Sequence, residues 1–201
     1  GRGIVVGIDE NGEHMVQVYW IMGRSENSRN RVFKQDDNTG RLYTEAADTS
    51  KVQDPSLIIY NAMLQVPPYY AVSNGAQTDA VIEATNRGPF SLELALGGWS
   101  YEPDKPNFTQ RITAVCKLHI GRSTFIDMSI IRKSPFRDCF DKSTYRVNPD
   151  SGFGYYIATY SGDGNPLPPF RGDPLLMPLV GDMQKVAETY WAALNEENRV
   201  S

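Results

Sequence analysis

Apolar residues occur along the chain in short runs separated by turn-forming residues, a spacing that is typical of β-strands. The first two runs, residues 4–8 and 15–22, flank the polar turn segment 9–12. We therefore predict a β-hairpin at the start of the chain. Shorter runs predict further strands at residues 32–34, 41–46, 62–66, 69–73 and 155–160.

The clearest alternation of apolar and polar positions lies between residues 111 and 130. Every second residue from 112 to 120 is apolar, and the residues between them are mostly polar. Gly121-Arg122 is a turn sequence, and Ile126, Met128 and Ile130 line one face of the returning segment. This pattern predicts a second antiparallel hairpin.

Three segments have the spacing and capping residues of helices. Thr78 and Ser91 are the predicted N-caps of short helices at residues 79–85 and 92–96. Asp182 is predicted to cap a longer final helix whose apolar residues recur at helical spacing. The face of that helix that is predicted to pack in the core consists of Met183, Val186, Ala187, Tyr190, Trp191 and Leu194.

The order of these elements predicts the fold class. Hairpin strands, two neighbouring helices, more hairpin strands and a final helix indicate an α+β fold with antiparallel sheets. Segments 134–151 and 161–174 carry no strand pattern, so we predict loops there. No repeat and no shift in composition marks a boundary, and residues 1–201 are predicted to form one domain.

Charge, hydropathy and cysteine content limit the partners and the compartment that we expect for the protein. The formal net charge of -4 at pH 7 argues against a nucleic-acid partner, since duplex-binding proteins usually carry a basic surface. No uninterrupted apolar stretch approaches the roughly 20 residues that a membrane-spanning helix needs, so we predict no membrane partner. Cys116 and Cys139 fit reduced thiols better than a disulfide framework, and we therefore expect a cytoplasmic protein.

A cationic loop at residues 23–31 is the first candidate binding segment. It holds Arg24, Arg29 and Arg31 among hydroxyl and amide side chains. Three guanidinium groups this close repel one another, and arginine binds phosphate or carboxylate oxygens in two-point contacts. The alternative is a solvated surface loop in which Glu26 offsets part of the charge, and the loop alone does not decide between the two.

Other catalytic chemistries find little support in the sequence. His14 and His119 lie in separate predicted strands, and no zinc-ligand spacing is present. The chain lacks a Gly-x-Ser-x-Gly motif, and Cys116 lies on the apolar side of its strand. What remains is a set of arginine, tyrosine, amide and carboxylate side chains at the ends of predicted elements.

Several of these polar residues occur in short motifs with a characteristic order. The motifs are Gly1-Arg2, Arg24-Ser25, Asn30-Arg31, Tyr60-Asn61, Ser73-Asn74-Gly75 with Thr78-Asp79, Tyr101-Glu102 and Thr109-Gln110-Arg111-Ile112. In this order they resemble the stand-alone IMP cyclohydrolase family of purine biosynthesis over residues 1–160. The chain departs from the family pattern in a longer arginine loop, in Gln77 at a position that is usually histidine, and in the segment after Ser134.

The resemblance implies a four-layer αββα sandwich of two antiparallel sheets flanked by helices, like that of the N-terminal-nucleophile hydrolases. Gly1 has no nucleophilic side chain, so the usual chemistry of that superfamily cannot apply. The implied reaction is closure of 5-formamidoimidazole-4-carboxamide ribotide to IMP with loss of water and without a cofactor. The implied partner is this small-molecule purine ribotide, and we expect a homo-oligomer.

The resemblance also implies roles for individual residues. Arg31 would stabilise the developing oxyanion or orient the carboxamide, and Tyr60 would donate a hydrogen bond or proton to the formyl oxygen. Glu102, with a raised pKa, would take the amide proton. The implied phosphate contacts are Arg24, Ser25 and Arg111, the implied ribose or base contacts are Asn61, Asn74 and Asp79, and Asn30, Gly75 and Thr78 complete the binding set.

Two alternative functions stay open at the level of sequence. The same arginines and amides would serve a non-catalytic module that binds purine ribotides. An amide hydrolase on the same fold would need a nucleophile, and neither Cys116 nor any serine has an obvious base beside it.

Overall fold

The computed structural model describes residues 1–52, 54–118 and 125–201. The strands in these ranges are β1 (Arg2–Ile8), β2 (Met15–Ile21), β3 (Val32–Asp36), β4 (Arg41–Glu45), β5 (Asn61–Val66), β6 (Tyr69–Ser73), β7 (Arg111–Lys117), β8 (Phe125–Lys133), β9 (Phe140–Val147), β10 (Phe153–Ala158) and β11 (Leu175–Pro178). The helices are α1 (Glu26–Arg29), α2 (Gln77–Thr85), α3 (Leu92–Ala95) and α4 (Met183–Ala193), with 3-10 turns at Thr49–Lys51 and Pro55–Leu57. Among the described residues, no helix is both long enough and apolar enough to cross a membrane.

Two antiparallel sheets contain these strands. The smaller sheet has the order β11-β10-β1-β2, and the larger has the order β3-β4-β5-β6-β7-β8-β9. Both predicted hairpins are confirmed, since β1 pairs with β2 and β7 pairs with β8. The predicted turn at Gly121-Arg122 lies outside the described residues, as do His119 and Ile120.

Side chains between the two sheets form the main core. Ile4 and Val6 of β1 pack there with Ile112 and Ala114 of β7, and all four are fully buried. Because side chains alternate along a strand, Val5 points to the opposite face and packs beneath α4. The strand β1 is therefore covered on both faces.

Helices cover the outer faces of both sheets. On the smaller sheet, α4 packs through Val186 and Tyr190. On the larger sheet, α2 and α3 pack through Val81 and Leu92. The order helix, sheet, sheet, helix confirms the predicted four-layer αββα sandwich, and full burial of each aliphatic side chain contributes roughly 1.5–3 kcal/mol.

The first residues of β1 direct polar groups into one end of the sandwich. Arg2 shares a side of the strand with Ile4 and Val6, so its side chain enters the space between the sheets. An added Cβ at Gly3 would lie 2.2 Å from the ring of Trp20, so only glycine lets that indole lie across β1. This end of β1 therefore combines a buried cation with an aromatic wall.

Two edge strands differ from the sequence prediction. The segment 134–151 is predicted to be a loop but contains β9, and β11 is not predicted at all. Each strand forms the edge of its sheet, where one side of the backbone and many side chains face outward. Leu175 and Leu176, for example, are 52% and 55% exposed. Alternation is weak in such strands because neither face is consistently buried.

The start of α2 also differs from the prediction. Thr78 is not an N-cap, because the helix begins at Gln77 with Ala76 in the N-cap position. The Thr78 hydroxyl instead donates to the carbonyl of Gly75 at 3.0 Å. Ser91 does cap α3 as predicted, accepting a backbone hydrogen bond from the first turn at 3.4 Å.

The final helix is capped as predicted, but fewer residues of its apolar face are buried than the sequence predicts. Asp182 accepts a backbone hydrogen bond from the first turn of α4 at 2.8 Å. Val186 and Tyr190 are buried, whereas Met183 and Trp191 are 64% and 40% exposed. A straight helix on a twisted sheet contacts it along one narrow line, so the outer positions of a broad apolar face stay exposed. The core prediction was wrong for Met183, Ala187 and Trp191.

Candidate active site

A cleft of about 620 Å³ opens at the end of the sandwich where β1 begins and β2 ends. Its lining comes from widely separated parts of the chain. The described segments that contribute to it are residues 1–2, 20–31, 57–58, 102–109, 156–167 and 195–198. Small-molecule pockets have volumes of about 300–1,000 Å³, so this cleft has the size for a small ligand.

The floor of the cleft holds a buried ion pair between Arg2 and Glu102. Nη2 of Arg2 donates to Oε1 and Oε2 of Glu102 at 2.6 and 2.7 Å, and the two residues are 8% and 3% exposed. Burial raises the pKa of Glu102 above its ordinary value, and the charge of Arg2 opposes that shift. Glu102 is therefore a more basic carboxylate than an exposed glutamate, held against a permanent cation.

Asn74 and Arg111 support Glu102 from the side of the larger sheet. Nδ2 of Asn74 lies 3.3 Å from Oε1 of Glu102, and Oδ1 of Asn74 accepts from the backbone nitrogen of Ile112 at 2.8 Å. Nη1 of Arg111 lies 4.0 Å from the same carboxylate oxygen. Oε1 of Glu102 is therefore surrounded by donors from Arg2, Asn74 and Arg111, which restrict the orientation of the carboxylate.

Arg111 lies behind Glu102 rather than in the lining of the cleft. Its Nη1 donates to Oε1 of Gln77 at 2.9 Å, its Nε donates to the carbonyl of Ser100 at 3.0 Å, and its guanidinium lies 5.0 Å from the ring of Trp99. A Cβ at Gly75 would lie 2.5 Å from Nη1 of Arg111, so glycine leaves room for this guanidinium.

Arg31 precedes β3 and lines the cleft with an incompletely paired guanidinium. Its Nε and Nη2 donate to the carbonyl of Ser28 at 3.1 and 3.0 Å, and the residue is 3% exposed. Burial lowers its pKa, although arginine stays charged in proteins. Nη1 has no hydrogen-bond partner among the described residues. A buried donor left unpaired costs about 1–3 kcal/mol, so an acceptor placed there would be bound favourably.

Tyr19 and Tyr60 form a hydrogen-bonded phenol pair beside the two arginines. Their hydroxyl oxygens are 2.7 Å apart, and the residues are 8% and 6% exposed. The charges of Arg2 and Arg31 act on the pKa of Tyr19, so the four side chains belong to one electrostatic cluster. Tyr60, a predicted site residue, thus lies with Arg31 and Glu102 at the same end of the sandwich.

The arginine loop contains a short helix that the sequence prediction lacks. Ser25 caps α1 in a reciprocal capping box with Ser28. Arg24 lines the cleft, and its Nη2 donates to the carbonyl of Gly164 at 3.0 Å. Arg29 is not part of the lining, and its Nη1 donates to the carbonyl of Gly23 at 3.2 Å. The helix therefore separates the three arginines and turns Arg24 toward the opening.

Other predicted binding residues lie off the cleft. Nδ2 of Asn61 donates to Oδ1 of Asp79 at 2.7 Å. Asn30 exchanges two hydrogen bonds of 2.7 Å with the backbone of Asp48. The predicted residues outside the lining are Asn30, Tyr60, Asn61, Asn74, Gly75, Thr78, Asp79 and Arg111. Those inside it are Arg24, Ser25, Arg31 and Glu102.

Some residues of the site are not singled out by the sequence. Arg2 belongs to a recognised motif but receives no role, and the sequence signal for it is an arginine opening an otherwise apolar strand. Lys105 and Asn107 line the cleft from the loop before β7, and Trp20 and Tyr160 form part of its aromatic wall. Loop residues of this kind show no periodicity that would mark them.

Within the described ranges, neither Cys116 nor any group of possible metal ligands forms a second candidate catalytic or metal-binding centre. Cys116 is fully buried, and burial raises the pKa of its thiol to about 12. A thiol with that pKa is not a nucleophile at neutral pH, which argues against an amide hydrolase that uses Cys116. In the described part of the chain, no three His, Cys, Asp or Glu side chains are grouped as metal ligands would be.

The fold and the site together define a class: an αββα sandwich whose end cleft holds buried arginine, glutamate and tyrosine side chains. Comparison with known families gives the particular membership. The chain belongs to the IMP cyclohydrolase-like protein family, whose model matches residues 1–201. The match therefore includes the segment after residue 160, where the motifs show no resemblance.

A relative of known name has a similar sequence. The IMP cyclohydrolase of Methanocella arvoryzae (strain DSM 22066 / NBRC 105507 / MRE50) is 29% identical over 134 residues. The alignment covers 63% of this chain and 65% of the relative. The similarity thus spans just under two thirds of the length of that protein.

Proposed function

We propose that the protein is an IMP cyclohydrolase that closes the ring of 5-formamidoimidazole-4-carboxamide ribotide and releases water. The observation that carries this proposal is the buried Arg2–Glu102 pair, which shares the cleft with the unpaired Nη1 of Arg31. The pair supplies a base and Arg31 supplies a cationic donor, the two groups that this ring closure needs. Membership of the IMP cyclohydrolase-like family supports the same reaction.

The phosphate of the substrate would bind at the rim of the cleft. Arg24, Ser25 and Lys105 line the cleft and provide positive charge and a hydroxyl group for a phosphate dianion. Binding there would leave the imidazole and its two substituents facing Arg31 and Glu102. We propose that Arg111 orients Glu102, because it lies behind that carboxylate.

The remaining predicted binding residues would act at a distance from the reacting atoms. Asn74 would orient Glu102 through the contact of 3.3 Å. Gly75 and Thr78 would hold the turn between β6 and α2 on which Asn74 lies. For Asn61 and Asp79 the sequence predicts contact with ribose or base, whereas their position off the cleft favours a structural role, and a substitution of Asp79 decides between the two.

Ring closure would proceed with a balanced transfer of protons. The carboxamide nitrogen bonds to the formyl carbon and loses one proton to Glu102, while the formyl oxygen takes a proton from Tyr60 and becomes a hydroxyl. Arg31 stabilises the charge that develops on that oxygen. The hydroxyl then takes the proton held by Glu102 and leaves as water, and the formamide nitrogen gives up its proton to restore Tyr60. Holding both reacting groups in one cleft makes the attack intramolecular and oriented.

The environment of Glu102 suits this exchange. Burial raises its pKa above the ordinary glutamate value, so the carboxylate is a better proton acceptor than an exposed glutamate and can return the proton to the leaving hydroxyl. The charge of Arg2 limits the shift and keeps the ionised form available. No histidine is required in this scheme.

An ultraviolet assay for IMP, started with the formylated ribotide, tests the proposal. We expect IMP to form at a rate that a chelator does not change, because no proposed step uses a metal ion. Binding of the ribotide without IMP formation would identify a non-catalytic binding module instead. A protein that neither binds nor converts the ribotide would contradict both functions.

The wider setting is also a proposal. We propose that the protein is a single domain that works in the cytoplasm as a homo-oligomer and needs no cofactor. We also propose that its sandwich is related to that of the N-terminal-nucleophile hydrolases. The four-layer order of helices and sheets supports the structural relationship.

A further inference from the structure

The phenol pair joins the two sheets beside Arg2 and Arg31, just outside the lining of the cleft. Tyr19 lies in β2 of the smaller sheet, and Tyr60 immediately precedes β5 of the larger one. Their hydroxyl oxygens are 2.7 Å apart and buried. Both phenols interact electrostatically with Arg2 and Arg31, which raises the question of where their protons point.

This cluster has more hydrogen-bond donors than acceptors. The two hydroxyl groups carry two protons, but only one of these can lie between the two oxygens. Neither hydroxyl has another partner among the described residues, and the neighbouring arginines can only donate. Nε of Arg2 and Nη1 of Arg31 are also buried without an acceptor in the described part of the chain. One phenol proton and the N–H groups of two guanidinium nitrogens are therefore left for an acceptor that a ligand would bring.

We propose that Tyr19 is a positioning residue for Tyr60: its hydroxyl donates to the Tyr60 oxygen and so directs the Tyr60 proton toward a substrate acceptor that Arg31 also contacts. This inference rests on the proposed function, in which that acceptor is the formyl oxygen. With the opposite direction of the bond, the Tyr60 proton would be used within the pair. The free proton would then belong to Tyr19.

The neighbouring cations favour Tyr60 as the phenol that gives up its proton. Arg2 and Arg31 each interact more strongly with Tyr60 than with Tyr19, so negative charge left on the Tyr60 oxygen would be stabilised there. Burial raises the pKa of Tyr19 well above that of an ordinary phenol, so Tyr19 stays protonated and can donate to that oxygen across the 2.7 Å contact. The bond also holds the Tyr60 ring in a fixed orientation, as preorganised donors require.

Kinetics of single and double variants test the inference. Tyr19→Phe removes the hydroxyl but keeps the ring, whose centroid lies 5.7 Å from that of Phe33. We expect kcat to fall roughly tenfold with KM unchanged, as for loss of one hydrogen bond. Because Tyr19 acts through Tyr60, the double variant Tyr19→Phe/Tyr60→Phe should be no slower than Tyr60→Phe.

Tyr190 provides a matched control for the loss of a buried phenol hydroxyl. It is 8% exposed, like Tyr19, but donates to the carbonyl of Pro178 at 2.9 Å, in the layer of α4. Tyr190→Phe should therefore lower the stability by a similar amount and leave kcat unchanged. A fall in kcat equal to that of Tyr19→Phe would show a general packing effect and would overturn the inference.

A second measurement does not depend on catalysis. In protein labelled at the tyrosine Cζ carbon, the NMR signal of Tyr60 is assigned by its loss in Tyr60→Phe. We expect Tyr19→Phe to move the chemical shift of this signal and Tyr190→Phe to leave it in place. If the wild type forms no IMP but the signal responds to Tyr19→Phe, the positioning of Tyr60 by Tyr19 stands and the proposed function fails. An unchanged Tyr60 signal, or kinetic losses that multiply in the double variant, would overturn the role of Tyr19.

Discussion

Arg2 and Glu102 are 100 residues apart in the sequence, yet Nη2 of Arg2 lies 2.6 Å from Oε1 of Glu102. The contact joins a strand of the smaller sheet to the loop that precedes β7 of the larger sheet. Removing one partner of a buried ion pair leaves an uncompensated charge and costs about 3–5 kcal/mol. The pair therefore ties the chemistry of the cleft to the stability of the fold.

Replacement of Glu102 tests its role as the base. We expect Glu102→Gln to lower kcat by about 10²–10⁴, because the amide cannot accept the carboxamide proton. The variant should also unfold more easily, since Arg2 loses its counter-ion. Turnover is measured at a temperature where circular dichroism shows the variant to be folded.

Glu13→Gln is the control for this change, because Glu13 is exposed in the turn between β1 and β2. It should leave both turnover and stability within error of the wild type. If folded Glu102→Gln keeps turnover within about tenfold of the wild type, Glu102 is not the proton acceptor.

Replacement of Arg2 should change the pH dependence of the reaction. Burial raises the pKa of Glu102 and the charge of Arg2 opposes the rise, so Arg2→Met should raise that pKa further. Because the base must be ionised, the acid limb of kcat/KM should move to higher pH. Arg2→Lys keeps a positive charge and should move the limb less.

The same substitution gives a stability signature with a defined sign. A carboxyl group whose folded-state pKa is raised binds its proton more tightly in the folded than in the unfolded chain. The free energy of unfolding of Arg2→Met should therefore decrease as the pH rises from the ordinary glutamate pKa through the raised one. Urea unfolding at several pH values measures this slope, and the contribution should vanish in Arg2→Met/Glu102→Gln. If the acid limb of kcat/KM in Arg2→Met stays at the wild-type pH, the charge of Arg2 does not control the pKa of Glu102.

Arg24 is predicted to act on substrate binding rather than on chemistry. Arg24→Ala removes a cation from the rim of the cleft and should chiefly raise KM, because phosphate is held equally in the ground and transition states. Steady-state kinetics measure the effect, with Arg137→Ala as the control, since Arg137 is an exposed arginine outside the lining. A loss confined to kcat would move Arg24 from the phosphate to the reacting atoms.

Substitution of Asp79 distinguishes a structural role of this residue from a role in substrate binding. The Asn61–Asp79 hydrogen bond lies off the cleft, so Asp79→Ala should cost about 1 kcal/mol of stability or less and leave KM unchanged. Thermal unfolding and steady-state kinetics measure the two effects. A several-fold increase in KM without loss of folded protein would place Asp79 against the ribose or base after all.

The central strands of both sheets and the edge strands β2 and β3 can be predicted from the sequence, whereas the edge strands β9 and β11 cannot. In β1 and β7, burial on both faces selects apolar residues and leaves a strong pattern. In β9 and β11, backbone pairing with one neighbour fixes the strand while the side chains stay largely exposed. Sequence patterns report burial, so strands held mainly by backbone hydrogen bonds leave little signal.

The residues of the site also divide into those that the sequence predicts and those that it does not. The order of short motifs selects Arg24, Ser25, Arg31 and Glu102, all of which line the cleft. It gives Arg2 no role, because the partner that defines that role lies 100 residues away. Pairings of this kind depend on the register of two sheets, which no local pattern contains.

The cleft is built from segments as distant as residues 1–2 and 195–198, and this has a thermodynamic consequence. No part of the chain forms the cleft alone, so a ligand that fills it binds the folded protein and not the unfolded chain. A ligand present at a hundred times its Kd then adds about 2.7 kcal/mol to the free energy of unfolding. The ligand-free protein should therefore unfold at a lower temperature, and be digested by proteases sooner, than the ligand-bound protein.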